Sequence, residues 1–327
     1  MRARFWGTRG SLPVALTATQ VARKIGHALL AAQGRQFANL EQAQDFALTL
    51  PFHLAQTYGG HSSCVELELT PPTQASHEYV LCDLGSGVRP FGNAVLAQHG
   101  AHTPNVFHVF MSHVHWDHIM GFPLFAPAYI PGNRIRIYGC HADLEAAFRR
   151  QHGAPSFPVE FDQLGASIAF IPLTAGERHA IAGMEVTPLR QLHVGDSYGY
   201  RFETPHHTLV YSTDSEHKLD EPAITERFVD FFRAADLVIF DAMYSFAEAV
   251  SVKEDWGHSS NVTGVELCQM AGARHLALFH HEPIFDDTRI ASVEAETRRF
   301  EEISRNGRPP LKVTTAYDGL EIDLAAQ

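Results

Sequence analysis

The sequence predicts an α/β (α+β) protein in which two mixed β-sheets lie face to face and helices cover their outer sides, a four-layer αββα sandwich. Two observations predict this fold. Apolar runs of strand length alternate with amphipathic helical segments along the 327 residues, with antiparallel pairs mixed in. No linker-like stretch divides the chain, and this many elements need two cores. We therefore expect residues 1–327 to form a single domain.

Local patterns predict the individual elements. A first strand is predicted at residues 3–6, and apolar residues at near-helical intervals from 17 to about 50 predict an inserted helical pair. Further strands are predicted at 64–69, 78–84, 106–111, 134–138, 168–172, 184–189, 209–213, 236–241 and 275–279, and helices at 91–99, 142–152, 221–235, 261–271 and 287–304. Two last strands, 313–317 and 320–324, flank Asp318-Gly319, which predicts a hairpin.

Composition indicates a globular protein with an ample core, since 45% of the residues are hydrophobic and 19% are charged. No apolar stretch approaches the ~20 residues that a membrane span needs, and the N-terminus lacks the apolar run of a signal peptide. The four cysteines are scattered without a Cys-x-x-Cys pair, which favours reduced thiols. These features predict a cytoplasmic protein without a membrane partner.

The formal net charge of −12 bears on the class of substrate. A protein that binds long nucleic acid generally needs a basic face to displace condensed counterions, and this chain has no basic run. Long nucleic acid is therefore disfavoured as a partner, whereas a local basic pocket for a small anion is compatible with the sequence. A homodimer is also compatible with it.

The stretch from Phe110 to His118 carries the strongest chemical signal. A buried strand of six residues, 106–111, is followed at once by His113, His115, Asp117 and His118. Side chains just past the end of a strand can turn towards one cavity. Neutral imidazoles and carboxylates are the ligand set for zinc, manganese or iron, with no thiolate required.

Three further strands also end in potential ligands. His193 lies beyond the strand 184–189, Asp214 directly follows 209–213, and His280 directly follows 275–279. Ligands from several strand ends meet at one edge of an α/β sheet, where its crevice lies. Asp83, at another strand end, either supports a ligand or only caps a turn.

The His-x-His-x-Asp-His spacing resembles the signature of the metallo-β-lactamase-fold hydrolases. In that superfamily the next ligands in order are His, an acidic residue or Cys, and His, which His193, Asp214 and His280 match. The resemblance implies two divalent cations, zinc or manganese with iron as a third option. It assigns the groups as follows: one metal on His113, His115 and His193, the second on Asp117, His118 and His280, and Asp214 as the bridge.

The segment Trp256-Gly257-His258-Ser259-Ser260 resembles the Gly-His-Ser motif of the phosphodiesterase branch, which includes ribonuclease Z and the phosphoribosyl cyclic phosphate phosphodiesterases. There the histidine reaches the scissile phosphate, and the spacing of 22 residues between His258 and His280 favours His280 over His281 as the ligand. Asp241, at a strand end, could orient and charge His258.

The resemblance thus implies a binuclear hydrolase of a small cyclic or linear phosphodiester. Two cations would activate a shared water, and His258 would protonate the leaving oxygen. Asp117 and Asp241 join His258 as catalytic residues. Arg9, His61 and Trp116 are candidate substrate contacts, each equally compatible with packing.

One departure from ribonuclease Z bears on the substrate. Only 20 residues separate His193 from Asp214, too few for the protruding arm with which that enzyme binds tRNA. This distance argues for a small substrate.

Three alternatives differ in chemistry. A carboxylic ester, thioester or lactone hydrolase can share all seven ligands but does not need His258. A non-catalytic binding protein on the same fold would be expected to have lost ligands. A flavin-linked di-iron protein generally has Glu where His115 stands.

Overall fold

Residues 1–69, 77–244 and 257–326 are described by the computed structural model of the chain. Two seven-stranded sheets form its centre. The strands are β1 Arg2–Gly7, β2 Cys64–Glu68, β3 Glu78–Cys82, β4 Val106–Phe110, β5 Arg134–Gly139, β6 Ser167–Pro172, β7 His179–Ile181, β8 Met184–Arg190, β9 Tyr198–Glu203, β10 Thr208–Ser212, β11 Leu237–Asp241, β12 His275–Phe279, β13 Lys312–Thr315 and β14 Glu321–Asp323.

The two sheets share one plan. The first has the order β14-β1-β2-β3-β4-β5-β6 and the second β13-β12-β11-β10-β9-β8-β7. In the first sheet β3 to β6 run parallel and β1, β2 and β14 pair antiparallel; in the second β10 to β13 run parallel and β7 to β9 pair antiparallel. Both sheets are therefore mixed, as predicted.

Helices lie outside the sheets. The α-helices of the described residues are α1 Ala18–Ala31, α2 Leu40–Leu48, α3 Phe52–Ala55, α4 Val88–His99, α5 Trp116–Ile119, α6 Leu144–Gln151, α7 Pro222–Phe232, α8 Asn261–Ala271 and α9 Asp287–Ser304, and the 3-10 helices are Phe122–Leu124, Ala126–Tyr129, Phe161–Gln163 and Leu324–Ala326. Side-chain caps begin several of them: Ser260 accepts from Thr263 N before α8, and Asp286 accepts from Arg289 N before α9. None of these helices is long and apolar enough to cross a membrane.

Three apolar clusters separate the layers. One, which includes Phe5, Phe110, Tyr200 and Phe279, fills the space between the sheets. The second packs β10 to β13 against α7, α8 and α9, and the third packs β3, β4 and β5 against α4 and α6. The αββα sandwich predicted from the sequence is confirmed. Of the four cysteines, all free, Cys140 alone is not fully buried.

The prediction of a hairpin at Asp318-Gly319 is wrong. β13 pairs with β12 in the second sheet, whereas β14 pairs with β1 in the first, so the chain crosses between sheets here. Tertiary contacts outweigh the turn signal: the Asp318 carboxylate accepts from Gly60 N and His61 N at 2.9 and 3.0 Å, and the Thr8 hydroxyl lies 3.2 Å away. The sequence analysis also did not predict β7, which is an edge strand of only three residues.

Candidate metal centre

The loop after β4 brings His113, His115, Asp117 and His118 to one edge of the first sheet. Beyond β4 the Met111 amide donates to Tyr138 O at 2.9 Å, and the chain then enters the single turn α5 with His115 at its N-cap. The spacing places imidazoles both before and within this turn.

His113, His115 and His193 form a first group of three. Their candidate ligand atoms lie within 4.8 Å of one another, and His193 Nε2 is 3.1 Å from His115 Nδ1. The other nitrogen of His193 donates to Gly257 O at 2.8 Å. Gly257 has φ +80°, and a Cβ there would lie 2.5 Å from His193 Nδ1, so this close approach requires glycine.

Asp117, His118 and His280 form a second group of three, also within 4.8 Å. The two Nε2 atoms, of His118 and His280, are 3.3 Å apart, and Asp117 Oδ2 is 3.2 and 3.4 Å from them. A tetrahedral zinc with bonds of ~2.0–2.2 Å would separate its ligand atoms by roughly 3.3–3.6 Å. The neighbouring His281 turns away and donates to Ala316 O at 2.8 Å.

Asp214 lies between the two groups, with one carboxylate oxygen towards each. Its Oδ1 is 3.2 Å from Nε2 of both His118 and His280, and its Oδ2 is 3.6 and 3.8 Å from Nε2 of His113 and His193. The backbone of Asp214 has φ +50°, a left-handed conformation that residues other than glycine rarely adopt. Asp83 and His280 also have positive φ angles, +60° and +61°. Strained residues of this kind concentrate at functional sites.

An outer layer of hydrogen bonds fixes the ring orientations. Asp83 Oδ2 accepts from His118 Nδ1, Ser112 Oγ and Tyr211 OH at 2.7–2.8 Å. Ser112 Oγ in turn lies 3.1 Å from His113 Nδ1. The sequence left open whether Asp83 supports a ligand or only caps a turn. The structure shows that it supports a ligand, because its carboxylate accepts a hydrogen bond from the His118 ring.

The charges of the cluster favour a bound cation. Burial, followed by the neighbouring His118, lowers the pKa of His113 well below its ordinary value, so this imidazole is neutral. Burial would also lower the pKa of His118, but the carboxylates of Asp117, Asp214 and Asp83 outweigh it and raise that pKa well above its ordinary value. The neutral His113 ring therefore stands beside carboxylates that attract positive charge.

One buried atom tests the fit of a metal directly. His113 Nε2 is buried and has no hydrogen-bond partner, although buried polar atoms nearly always have one. It faces Asp214 Oδ2, and its other nitrogen is held by Ser112. An imidazole oriented in this way and unpaired at Nε2 fits a divalent cation, as does the all-nitrogen and all-oxygen donor set.

His258 lies beside both groups without belonging to either predicted set. Its Nδ1 donates to Asp241 Oδ2 at 2.8 Å, and its ring centroid is 5.2 Å from those of His193 and His280. Burial disfavours the charged ring, but the Asp241 carboxylate outweighs it and raises the pKa of His258 to about 9. Asp241 Oδ1 accepts from Met243 N at 3.1 Å, which fixes the carboxylate.

Geometry alone also permits His258 as a ligand. It forms two further candidate triads, one with His193 and Asp214 and one with Asp241 and His280. In the structure, Nδ1 of His258 is engaged by Asp241 at 2.8 Å.

The three predicted substrate contacts occupy different surroundings. Arg9 is buried, and its guanidinium donates to the carbonyls of Gly59, Glu282 and Phe285, so it ties loops together and is not directed at a substrate. These contacts favour the packing role that the sequence left open for Arg9. His61 is partly buried with Nδ1 3.2 Å from Ser86 Oγ, whereas Trp116 is largely exposed. Trp256 lies outside the described residues.

Two contacts from the glycine-rich loop after β1 are absent from the sequence-based site. Ser11 N donates to Asp117 Oδ2 at 2.8 Å, and a Cβ on Gly10 would lie 2.6 Å from the His280 ring. Thr213 Oγ1 also donates to Asp214 Oδ1 at 2.7 Å. The contacts of Ser11 and Gly10 involve backbone atoms, so residue type could not have predicted them. The contact of Thr213 could have been suspected, because Thr213 directly precedes the predicted ligand Asp214.

Comparison with known proteins places the chain in a family. The profile of the family described as "Beta-lactamase superfamily domain" matches residues 78–281. The probable metallo-hydrolase YhfI of Bacillus subtilis (strain 168) is 26% identical over 246 residues, covering 71% of this chain and 88% of YhfI. A ribonuclease Z of Natronomonas pharaonis is 26% identical over 219 residues, covering 52% of this chain and 68% of the enzyme.

Solved structures agree on the fold. The crystal structure of YhfI from Bacillus subtilis, described as a metallo-beta-lactamase fold protein, superposes with a TM-score of 0.60 at 19% identity, covering 98% of each chain. A diphosphatase of the PhnP family superposes with a TM-score of 0.57 at 18% identity, covering 98% of this chain and 97% of its own. The predicted fold is confirmed, and the chain belongs to the β-lactamase superfamily as a metal-dependent hydrolase of the metallo-β-lactamase fold.

Proposed function

We propose that this hydrolase is a binuclear metal-dependent phosphodiesterase that acts on a small cyclic or linear phosphodiester. The observation that carries the proposal is the His258–Asp241 pair, joined at 2.8 Å beside a cluster whose central carboxylate faces two groups of three ligands. A hydrolase of carboxylic esters or lactones has no need of this extra imidazole.

Each group is assigned one divalent cation, zinc or manganese. His113, His115 and His193 would hold the first, and Asp117, His118 and His280 the second. This assignment is supported by the two carboxylate oxygens of Asp214, which face different groups. Oδ1 lies 3.2 Å from the imidazoles of the second group, and Oδ2 lies 3.6 Å from His113 Nε2. When bound, such a cation pair lowers the pKa of a water molecule and neutralises phosphoryl oxygens.

The residues of the chain supply the remaining steps. With Nδ1 of His258 engaged by Asp241, the proton that this ring can give to a leaving oxygen is the one on Nε2. The Asp241 carboxylate stabilises the charged ring and fixes its orientation. Ser11 N holds the Asp117 carboxylate at 2.8 Å, so that Asp117 can keep its position through the reaction.

The named relatives agree with a phosphorus-containing substrate, since one is a ribonuclease Z and another a diphosphatase. The net charge of −12 and the short interval between His193 and Asp214 favour a small molecule over tRNA.

Metal removal and restoration, assayed on two substrate classes, tests the function. Protein stripped with a chelator is expected to lose hydrolysis of bis(p-nitrophenyl) phosphate and to regain it when zinc or manganese is added back. Hydrolysis of a lactone by the same samples is expected to be far slower. Lactone hydrolysis without phosphodiester hydrolysis would contradict the proposal and favour the carboxylic ester reaction.

A further inference from the structure

Large exposed apolar side chains lie on loops that carry or contact the metal centre. Four of these loops each expose such a residue. These residues are Leu12 at 52%, Trp116 at 65%, Val194 at 75% and Ile284 at 82% of their accessible surface. We call these four residues the apolar rim.

Leu12, Trp116 and Val194 are each next in sequence to a residue that forms or contacts the cluster. Leu12 follows Ser11, whose amide donates to Asp117 Oδ2 at 2.8 Å, and Trp116 itself precedes Asp117. Val194 follows the ligand His193. The next residue, Gly195, lies so close to His115 that a Cβ on it would be 2.9 Å from Nε2.

The loop that carries Ile284 is joined to the loop that carries Leu12 by backbone pairing. The Ile284 loop begins at His280, and His281 exchanges backbone hydrogen bonds of 3.0 Å with Thr8 and Gly10 of the loop that carries Leu12. Leu12 and Ile284 are therefore on joined segments. Single exposed apolar residues are ordinary on a protein surface, but four of them on loops around one polar site indicate a binding function.

The loops of the apolar rim have few positively charged side chains that could bind an additional anionic group of a substrate. Arg9 is the only lysine or arginine in residues 8–17, 111–117, 191–197 and 280–286, and its donors are engaged by three backbone carbonyls. Arg190, at the edge of one loop, pairs with Asp196. An extended chain of phosphates would therefore find no free lysine or arginine in the described part of these loops.

We propose that the substrate is a phosphodiester whose remaining ester group, the one that does not leave, is aromatic or otherwise apolar, and that this group packs on the apolar rim while the phosphate occupies the metal centre. The inference rests on the proposed phosphodiesterase function. A phosphate held at the cluster must project its ester groups outwards past the rim. Burying one ring there is expected to favour such a substrate by roughly 10- to 100-fold in kcat/KM.

Two diesters with the same charge and leaving group test this inference. Phenyl p-nitrophenyl phosphate and methyl p-nitrophenyl phosphate differ only in the ester group that remains. The wild-type enzyme is expected to prefer the phenyl diester by roughly 10- to 100-fold in kcat/KM. Val194→Ser and Trp116→Ala are each expected to reduce this preference severalfold. The smaller change at the exposed Val194 keeps the test available if Trp116→Ala does not fold.

Ile303→Ser is the matched control. Ile303 is also exposed but lies near the end of α9, ~24 Å along that helix from Asp287, so its replacement should leave the preference unchanged. Binding without turnover gives a second readout: calorimetry should show tighter binding of diphenylphosphinate than of dimethylphosphinate, and Val194→Ser should narrow the difference.

Three results would overturn the inference. The wild-type enzyme could show no preference for the phenyl diester, or the rim variants could lower kcat/KM for both diesters equally, or Val194→Ser could change only the oligomeric state. If neither diester is hydrolysed by protein loaded with zinc or manganese, the proposed function itself fails and this inference fails with it.

Discussion

Replacing His258 by alanine is expected to lower kcat for a diester with an alkoxide leaving group by about 10²–10⁴-fold, the usual contribution of a general acid. The change removes the Nε2 proton and the charge that Asp241 stabilises at 2.8 Å. A p-nitrophenolate leaving group needs little protonation, so its loss of rate should be smaller. Rates on a 2′,3′-cyclic nucleotide and on bis(p-nitrophenyl) phosphate measure the difference.

Measurements of metal content and of a second variant distinguish a general acid at position 258 from a metal ligand. His258→Ala should bind as much zinc or manganese as the wild type. Asp241→Asn should give part of the same defect, and the double variant should be little worse than His258→Ala, because the two residues act as one unit. Equal losses on both substrates together with a lost metal ion would instead make His258 a ligand.

Replacing Asp214 by asparagine is expected to reduce the bound metal from two ions per chain and to lower kcat by roughly 10³-fold or more, since metal catalysis contributes several kcal/mol and each 1.36 kcal/mol is a factor of ten. The carboxylate faces the imidazoles of both groups, at 3.2 Å from His118 and His280 and 3.6 Å from His113. Elemental analysis and steady-state kinetics on the same samples measure both effects.

Asp236→Asn is the control for this change. Asp236 is also buried, but it lies before β11, and its carboxylate contacts Thr208 N and Arg274. That variant should keep its metal and activity, and unfolding measured in the presence of chelator shows whether either variant is destabilised. Two ions and full activity in Asp214→Asn would contradict the bridging role.

Local pattern was enough to predict most of the fold. Strands such as β12 and helices such as α8 and α9 were predicted at their observed bounds, because apolar periodicity and caps are local properties. The hairpin at Asp318 failed because its carboxylate bonds to Gly60 and His61, more than 250 residues away. Such distant partners leave no mark on a turn sequence.

In the site, too, local sequence properties could be predicted, whereas contacts to the backbone of distant residues could not. Strand ends and ligand chemistry singled out His193, Asp214 and His280 as candidates, and the structure brings them to the His113 loop. The sequence left two roles open for Arg9 because its partners are backbone carbonyls, which every residue offers. The contact of Ser11 N with Asp117 was missed for the same reason.

Anomalous diffraction from crystals loaded with zinc or manganese tests the central claim most directly. We expect two peaks per chain, one within His113, His115 and His193 and one within Asp117, His118 and His280. Asp214 should lie between the peaks, and His258 should remain on Asp241 outside both. A single ion, or an ion bound through His258, would contradict the account.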